Sequence, residues 1–210
     1  MMPVLRERAL QGSAGGRVVG ALVDEFDWMI GFLENSVPRT IVANDPRPPA
    51  VILTDASLSD DFETAGVGAV LLSHDSSPER FVAATVPGGL LRSLQSETRH
   101  IITALEVLPV FIVRTLWADK LLNRRTFVFI DNDGARHSLL KAYSRSVTIR
   151  RVLRNIVGIN ARQPAYLWYG RVPTDSNLSD GPSRGRKEEL LRAGATEDVV
   201  ADAVWAAAVE

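Results

Sequence analysis

The chain of 210 residues contains no cysteine. That absence excludes disulfides, thiolate zinc centres and cysteine nucleophiles together, and it fits a reducing compartment. Histidine is nearly as scarce. His74, His100 and His137 fall at a turn, a helix start and a helix, without the spacing of a ligand set, and ordinary polar roles suit all three. A resident metal would therefore rest chiefly on carboxylates. No apolar run reaches membrane-spanning length, and the amino terminus lacks the basic-then-apolar layout of a signal peptide. The expectation is an intracellular protein with no membrane partner. Gly12, Gly15 and Gly16 form no phosphate loop, because no lysine-serine pair accompanies them; residues 1–16 read as weakly ordered.

What is present is ordinary in amount and unusual in arrangement. Hydrophobic residues make up 46% and charged residues 23%, enough for one domain with a real core. The net charge of −1 conceals a polarised chain. From Arg136 to Lys187 there are eleven basic residues, opposed only by Asp175 and Asp180. Such a segment suits a polyanionic partner, although solvated helix faces would give the same count.

In chain order, apolar residues from Val18 to Leu33 recur at helical spacing and predict an amphipathic helix. Asp45-Pro46-Arg47-Pro48-Pro49 comes next as a stiff linker, which places a connector over 1–50. Val51-Ile52-Leu53-Thr54-Asp55-Ala56-Ser57 reads as a buried strand that carries a carboxylate into a cleft, or as a strand ended by an Asx turn. Two further strands, 65–72 and 80–86, complete an antiparallel meander, and the glycines of the second imply close backbone approach. A long helix is predicted from Ser96, as its cap, to about Trp117, with Glu106 at the edge of its apolar stripe and Pro109 kinking or dividing it. Thr126–Asp131 reads as a strand returning parallel to the first and again ending on an acid. Helices are expected over 135–143, capped by Asp133, and over 147–160, with a fifth strand at 164–169. Pro182 opens a helix that Glu188–Arg192 continues and Gly194 stops, and a last helix spans 196–208. The four tryptophans, Trp28, Trp117, Trp168 and Trp205, read as core or interface residues.

The acids form an ordered set: Asp55 on the first strand, Glu106 on the long helix, Asp131 ending the fourth strand, Asp180 opening a late helix. With Thr54-Asp55-Ala56-Ser57, Leu105-Glu106-Val107-Leu108, Ile130-Asp131-Asn132 and Val172-Pro173 through Asn177-Leu178-Ser179-Asp180-Gly181-Pro182-Ser183-Arg184, the chain resembles the ribonuclease H family. The version it is most similar to is the domain attached to retroelement reverse transcriptases of the DIRS type. The resemblance implies an α/β ribonuclease H-like fold over 51–195, with a five-stranded mixed sheet (three antiparallel strands plus two parallel) flanked by helices. It leaves 196–210 as a carboxy-terminal helix.

The resemblance also implies an activity: hydrolysis of the RNA strand of an RNA–DNA hybrid with two magnesium ions, manganese being the alternative. Two such ions ~3.5–4 Å apart clamp the attacking and leaving oxygens of an in-line displacement, and hard ions prefer oxygen ligands. Asp55 would bridge both ions, Glu106 and Asp131 would complete one site and Asp180 the other. Ser57, Asn132, Arg171 and Arg184 are candidate substrate contacts, and a reverse transcriptase polymerase domain is a candidate partner. Three departures stand out: no histidine in the loop 169–179, Gly181-Pro182 after the last acid, and Pro109 in the Glu106 helix. Asp175 is the fallback ligand. The rival readings are a nuclease of the same fold acting on DNA, and a degenerate domain that binds nucleic acid or braces a polymerase.

Overall fold

The computed structural model describes Gly20 to Val209 apart from Thr40, Ala43 and Arg99. The expectation for residues 1–16, and the first residues of the predicted amino-terminal helix, lie outside the described residues. Contacts divide the chain after Pro38 into two compact units. The first contains helix α1 (Gly20–Glu34), within which the Trp28 and Phe32 rings stack 5.3 Å apart.

The second unit, Arg39–Glu210, is built on a mixed sheet. Its strands are β1 (Ala50–Leu58), β2 (Ala65–Leu72), β3 (Pro78–Thr85), β4 (Arg125–Ile130), β5 (Tyr166–Arg171) and β6 (Thr196–Glu197), in the order β5-β4-β1-β2-β3-β6. The first three form the expected antiparallel meander, and β4 and β5 add in parallel beside β1. The five strands expected become six. β6 pairs in parallel with Arg80 and Phe81 of β3 where the sequence suggested the start of a helix. Two residues are too few to show a period of two. The strand is held by the residue after it: the Asp198 amide donates to the Phe81 carbonyl, and the Asp198 carboxylate accepts from Arg80 and from the buried Trp117 indole. The closing helix is α9 (Asp202–Val209), shorter than the predicted 196–208.

The long helix predicted from Ser96 is two helices, α2 (Gly88–Glu97) and α3 (Ile101–Leu116). Ser96 sits in the last turn of α2 and bonds the Ser93 carbonyl instead of capping α3. Helix α2 escaped the sequence reading because its first two residues are glycines, poor helix formers, set behind Pro87. Helix α3 runs through Pro109 without interruption. Proline removes one hydrogen bond there, but burial of nearly the whole helix outweighs it. A short helix α4 (Ala118–Leu121) leads into β4. Helix α5 (Asp133–Lys141) is capped by Asn132, whose side-chain oxygen accepts from the Ala135 amide at 3.0 Å, and not by Asp133. Helix α6 (Val147–Arg162) is capped by Ser146 and buries Val152, Leu153 and Ile156 against the same core as α3.

The late segment predicted as one helix is two short ones, α7 (Asp180–Ser183) and α8 (Glu188–Arg192). Gly185, at φ +74°, turns the chain between them, and Gly194 ends the second as expected. Of the tryptophans, Trp117 and Trp205 are buried in the core whereas Trp168 is half exposed.

One core residue is costly. Arg114 of α3 is wholly buried. Its Nη2 donates to the Gln163 carbonyl at 2.7 Å, but Nε and Nη1 find no partner. Burial drags its pKa down to about 10, while neighbouring Tyr169 is pushed up to about 12 by its own burial. A buried cation satisfied at one donor opposes folding. Arg114→Met keeps most of the stem and removes the charge, so it should stabilise the fold by about 1–2 kcal/mol. Urea unfolding should show a higher midpoint at unchanged slope; a lower midpoint would mean the guanidinium is needed where it lies.

Candidate metal centre

The strand β1 delivers Asp55 because five of its residues before and beside it are apolar or small and buried on both faces. Antiparallel register sets Asp55 opposite Gly68 and Ser57 opposite Gly66. Parallel register sets Thr54 opposite Ile130, so Asp131 emerges from the end of β4 beside Asp55. Helix α3 packs under β1 and carries Glu106, whose carboxyl group lies near the Ala56 amide. The result is one group: carboxylate oxygens of Asp55, Glu106 and Asp131 lie within 4.8 Å of one another, the first two residues buried and the third half-buried.

Three carboxylates so close repel one another and are poorly hydrated. Burial raises the Asp55 pKa to about 6, with the Asp131 and Asp180 charges adding to it and the Ser183 hydroxyl and Arg184 opposing. Burial, then Asp55 and Asp131, raise Glu106 to about 9, against the Ala56 amide. Glu106 Oε2 is buried and has no hydrogen-bond partner. A buried carboxylate with one orphaned oxygen, grouped with two further acids, is a donor set that a hard divalent cation fits, and a cation would reverse both shifts.

Asp180 lies outside the group of three. Helix α7 crosses β2 at Gly66 and Gly68, where a Cβ would sit 2.0 Å from the Ser183 carbonyl oxygen and 2.4 Å from that of Ser179 respectively. The helix is thereby seated beside Asp55. The Ser183 hydroxyl donates to Asp55 Oδ2 and lies 2.9 Å from the Asp180 carbonyl. The Asp180 side chain points to two arginines: its Oδ1 accepts from Arg184 Nε at 2.9 Å and its Oδ2 from Arg186 Nη2 at 2.8 Å. Asp175, the fallback ligand, is exposed and outside the group as well.

The four candidate substrate contacts have divergent settings. The Ser57 hydroxyl donates to the Ser183 carbonyl at 2.6 Å. Asn132 caps α5. Arg171 is mostly exposed, 3.7 Å from Asp133, and Arg184 is engaged by Asp180. The sequence reading gave no role to Ser183, Asn177 or Thr174. Asn177 is buried, donates to the Thr54 carbonyl at 3.0 Å and accepts from Ser179, so it fastens the loop before α7 to β1. Thr174 donates to Asp131 Oδ2 at 3.1 Å and orients it. Their only signal in the sequence was position within the motif that ends at Arg184.

These shifts make stability depend on pH. In chelator, folded Asp55 and Glu106 retain protons that the unfolded chain has released above its carboxylate range. The unfolded state therefore binds fewer protons, and stability falls as pH rises from about 4.5 through about 6 and on towards about 9. The metal-free protein should be more stable at pH 5 than at pH 8, by on the order of a few kcal/mol. Glu106→Gln should flatten most of that slope, and a divalent cation should stabilise the ionised wild type at pH 8. Thermal melts across pH, with and without the ion, test this; equal slopes in wild type and Glu106→Gln would refute it.

No family model matches the sequence, and no curated protein matches it. Its structure is similar to that of an RNase H1 isolated from compost by a metagenomic approach, at a TM-score of 0.53 and 17% identity, over 69% of this chain and 99% of that one. It is similar also to the N-terminal RNase H domain of a Mycobacterium tuberculosis protein, at 0.51 and 14% identity, over 70% of this chain and 98% of that one. At such identity the likeness is one of fold, and the fold is ribonuclease H-like, with the mixed sheet flanked by helices.

Proposed function

We propose that this ribonuclease H-like domain is a metal-dependent endonuclease that hydrolyses the RNA strand of RNA–DNA hybrids. The observation that carries the reading is the convergence of Asp55, Glu106 and Asp131 with an orphaned Glu106 oxygen among them. Both similar structures are named as RNase H enzymes, which supports the substrate class. Asp55, Glu106 and Asp131 would hold the metal, magnesium by preference and manganese as substitute, with Asp180 completing a second position. Divalent ions there would polarise the scissile phosphate and clamp the attacking and leaving oxygens of an in-line displacement.

The protein's own groups do the rest. Ser183 fixes one Asp55 oxygen and Thr174 one Asp131 oxygen, which restrains both carboxylates within the group. The Ala56 amide favours the ionised form of Glu106. Basic side chains of the segment 136–187 would hold backbone phosphates without reading sequence. A hybrid would be selected by groove shape and by 2′-hydroxyl contacts. The DIRS-type resemblance supports an origin in a retroelement reverse transcriptase, with residues 1–50 as a helical connector to a polymerase domain. Among the described residues no helix is long and apolar enough to cross a membrane.

The deciding test is a panel of labelled substrates in magnesium: RNA–DNA hybrid, double-stranded RNA, double-stranded DNA and a DNA junction. Cutting confined to the RNA strand of the hybrid is expected. Cutting of DNA would move the reading to the DNA nuclease of the same fold. Hybrid binding without cutting in magnesium or manganese would point to a degenerate binding domain.

A further inference from the structure

We propose that Arg184 and Arg186 are a phosphate clamp that Asp180 occupies in the free protein, and that a nucleic-acid backbone phosphate displaces Asp180 from them. The inference rests on the nuclease reading and adds to it how the last acid is released.

Both carboxylate oxygens of Asp180 are engaged, one by each arginine. The helix beneath cannot shift to change this. Its backbone lies against Gly66 and Gly68 with no room for a Cβ, and the Gly181 carbonyl accepts from the amides of both Arg184 and Arg186, closing the turn at Gly185. What can move are the side chains. Arg184 and Arg186 are 53% and 65% exposed, and they project into an open groove of about 1060 Å³ lined also by Thr174, Asp175 and Leu178. Exposed ion pairs contribute only ~0–1 kcal/mol, so this one is easily exchanged. A phosphodiester offers the arginines the same paired-oxygen geometry as a carboxylate, and binding it also releases condensed counterions. Asp180 cannot supply that second gain, which tips the exchange towards the nucleic acid. Once free, the carboxylate can turn towards Asp55, whose charge it already feels. By linkage, hybrid and divalent ion should then bind with positive coupling, each favouring the state the other needs.

Hybrid binding in chelator tests the clamp without any metal in the protein. Arg184→Ala/Arg186→Ala should weaken it about 10-fold or more and lower the slope of log K against log salt by about 2, one for each lost phosphate contact. Asp180→Asn should tighten binding about 10-fold, and by more than Asp175→Asn, which removes an equal charge from the same groove. In the double-arginine background the Asp180→Asn gain should shrink to that of Asp175→Asn, because a clamp that is absent cannot be relieved. Inorganic phosphate at millimolar concentration should compete with the hybrid in wild type and not in the arginine variant. An unchanged salt slope, or an Asp180→Asn gain that persists without the arginines, overturns the clamp. If the clamp results hold while the hybrid is never cut, the clamp stands and the nuclease reading falls. If cutting occurs with an unchanged slope, the reverse is true. No hybrid binding by wild type overturns both.

Discussion

Asp55→Asn should abolish cutting of the hybrid, lowering the rate by at least ~10²–10³-fold, as the loss of one essential charged or donor group at a preorganised site commonly does. The substitution is isosteric and leaves the strand intact. It also removes a buried negative charge from a crowded group, so the metal-free variant should be as stable as wild type at pH 8 or more so. Lost activity would then not be lost folding. The same variant should lose most of the rise in melting temperature that magnesium gives wild type. A labelled-hybrid assay beside a thermal melt reads both effects. Hybrid-specific cutting that survives in Asp55→Asn would place the chemistry elsewhere in the molecule.

Gly68→Ala should be about as damaging to activity, by another route. An added Cβ would meet the Ser179 carbonyl oxygen at 2.4 Å and the Ser183 nitrogen at 2.5 Å, both backbone atoms of the segment that carries Asp180. Neither can rotate away, so α7 must lift from β2. Overpacking of this kind costs roughly 3 kcal/mol. A displacement of about 1 Å at the last acid and at the Ser183–Asp55 contact would cost ~10²-fold in rate. Gly66→Ala should behave likewise, since its Cβ would fall 2.0 Å from the Ser183 carbonyl oxygen. Gly89→Ala is the control: nothing lies within 4 Å of its Cβ, and in a helix the change should stabilise by about 0.4–1 kcal/mol. Urea unfolding together with the cleavage rate separates the two cases. A Gly68→Ala protein as active and stable as wild type would mean that α7 is not seated on β2.

Much of this was legible in the sequence. Val51-Ile52-Leu53 could only be a buried strand, and the short connections after it forced the meander. The long helix before Thr126-Phe127-Val128 required a parallel return, which brings the ends of β1 and β4 together and Asp131 with them. The β2 glycines announced a close approach. Glu106 was singled out by its order among the acids and by the resemblance carried by Leu105-Glu106-Val107-Leu108; the apolar stripe placed it at the edge of the buried face, whereas packing buries it. Elements of low periodicity were illegible: α2 behind two glycines, the two-residue β6, the break between α7 and α8.

The carboxylate pattern, the alternation of strand and helix and the basic segment are local in the chain, so residue order alone determined them. Which acids converge was decided by the tertiary structure, because convergence depends on register and packing between segments far apart in the chain. Asp55, Glu106 and Asp131 meet because sheet and helix α3 share one core. Asp180 turns to Arg184 and Arg186 because its helix is clamped on Gly66 and Gly68 and its charge takes the nearest cations. No spacing along the chain could show that, since an ion pair is chosen by distance in space and by the water it excludes.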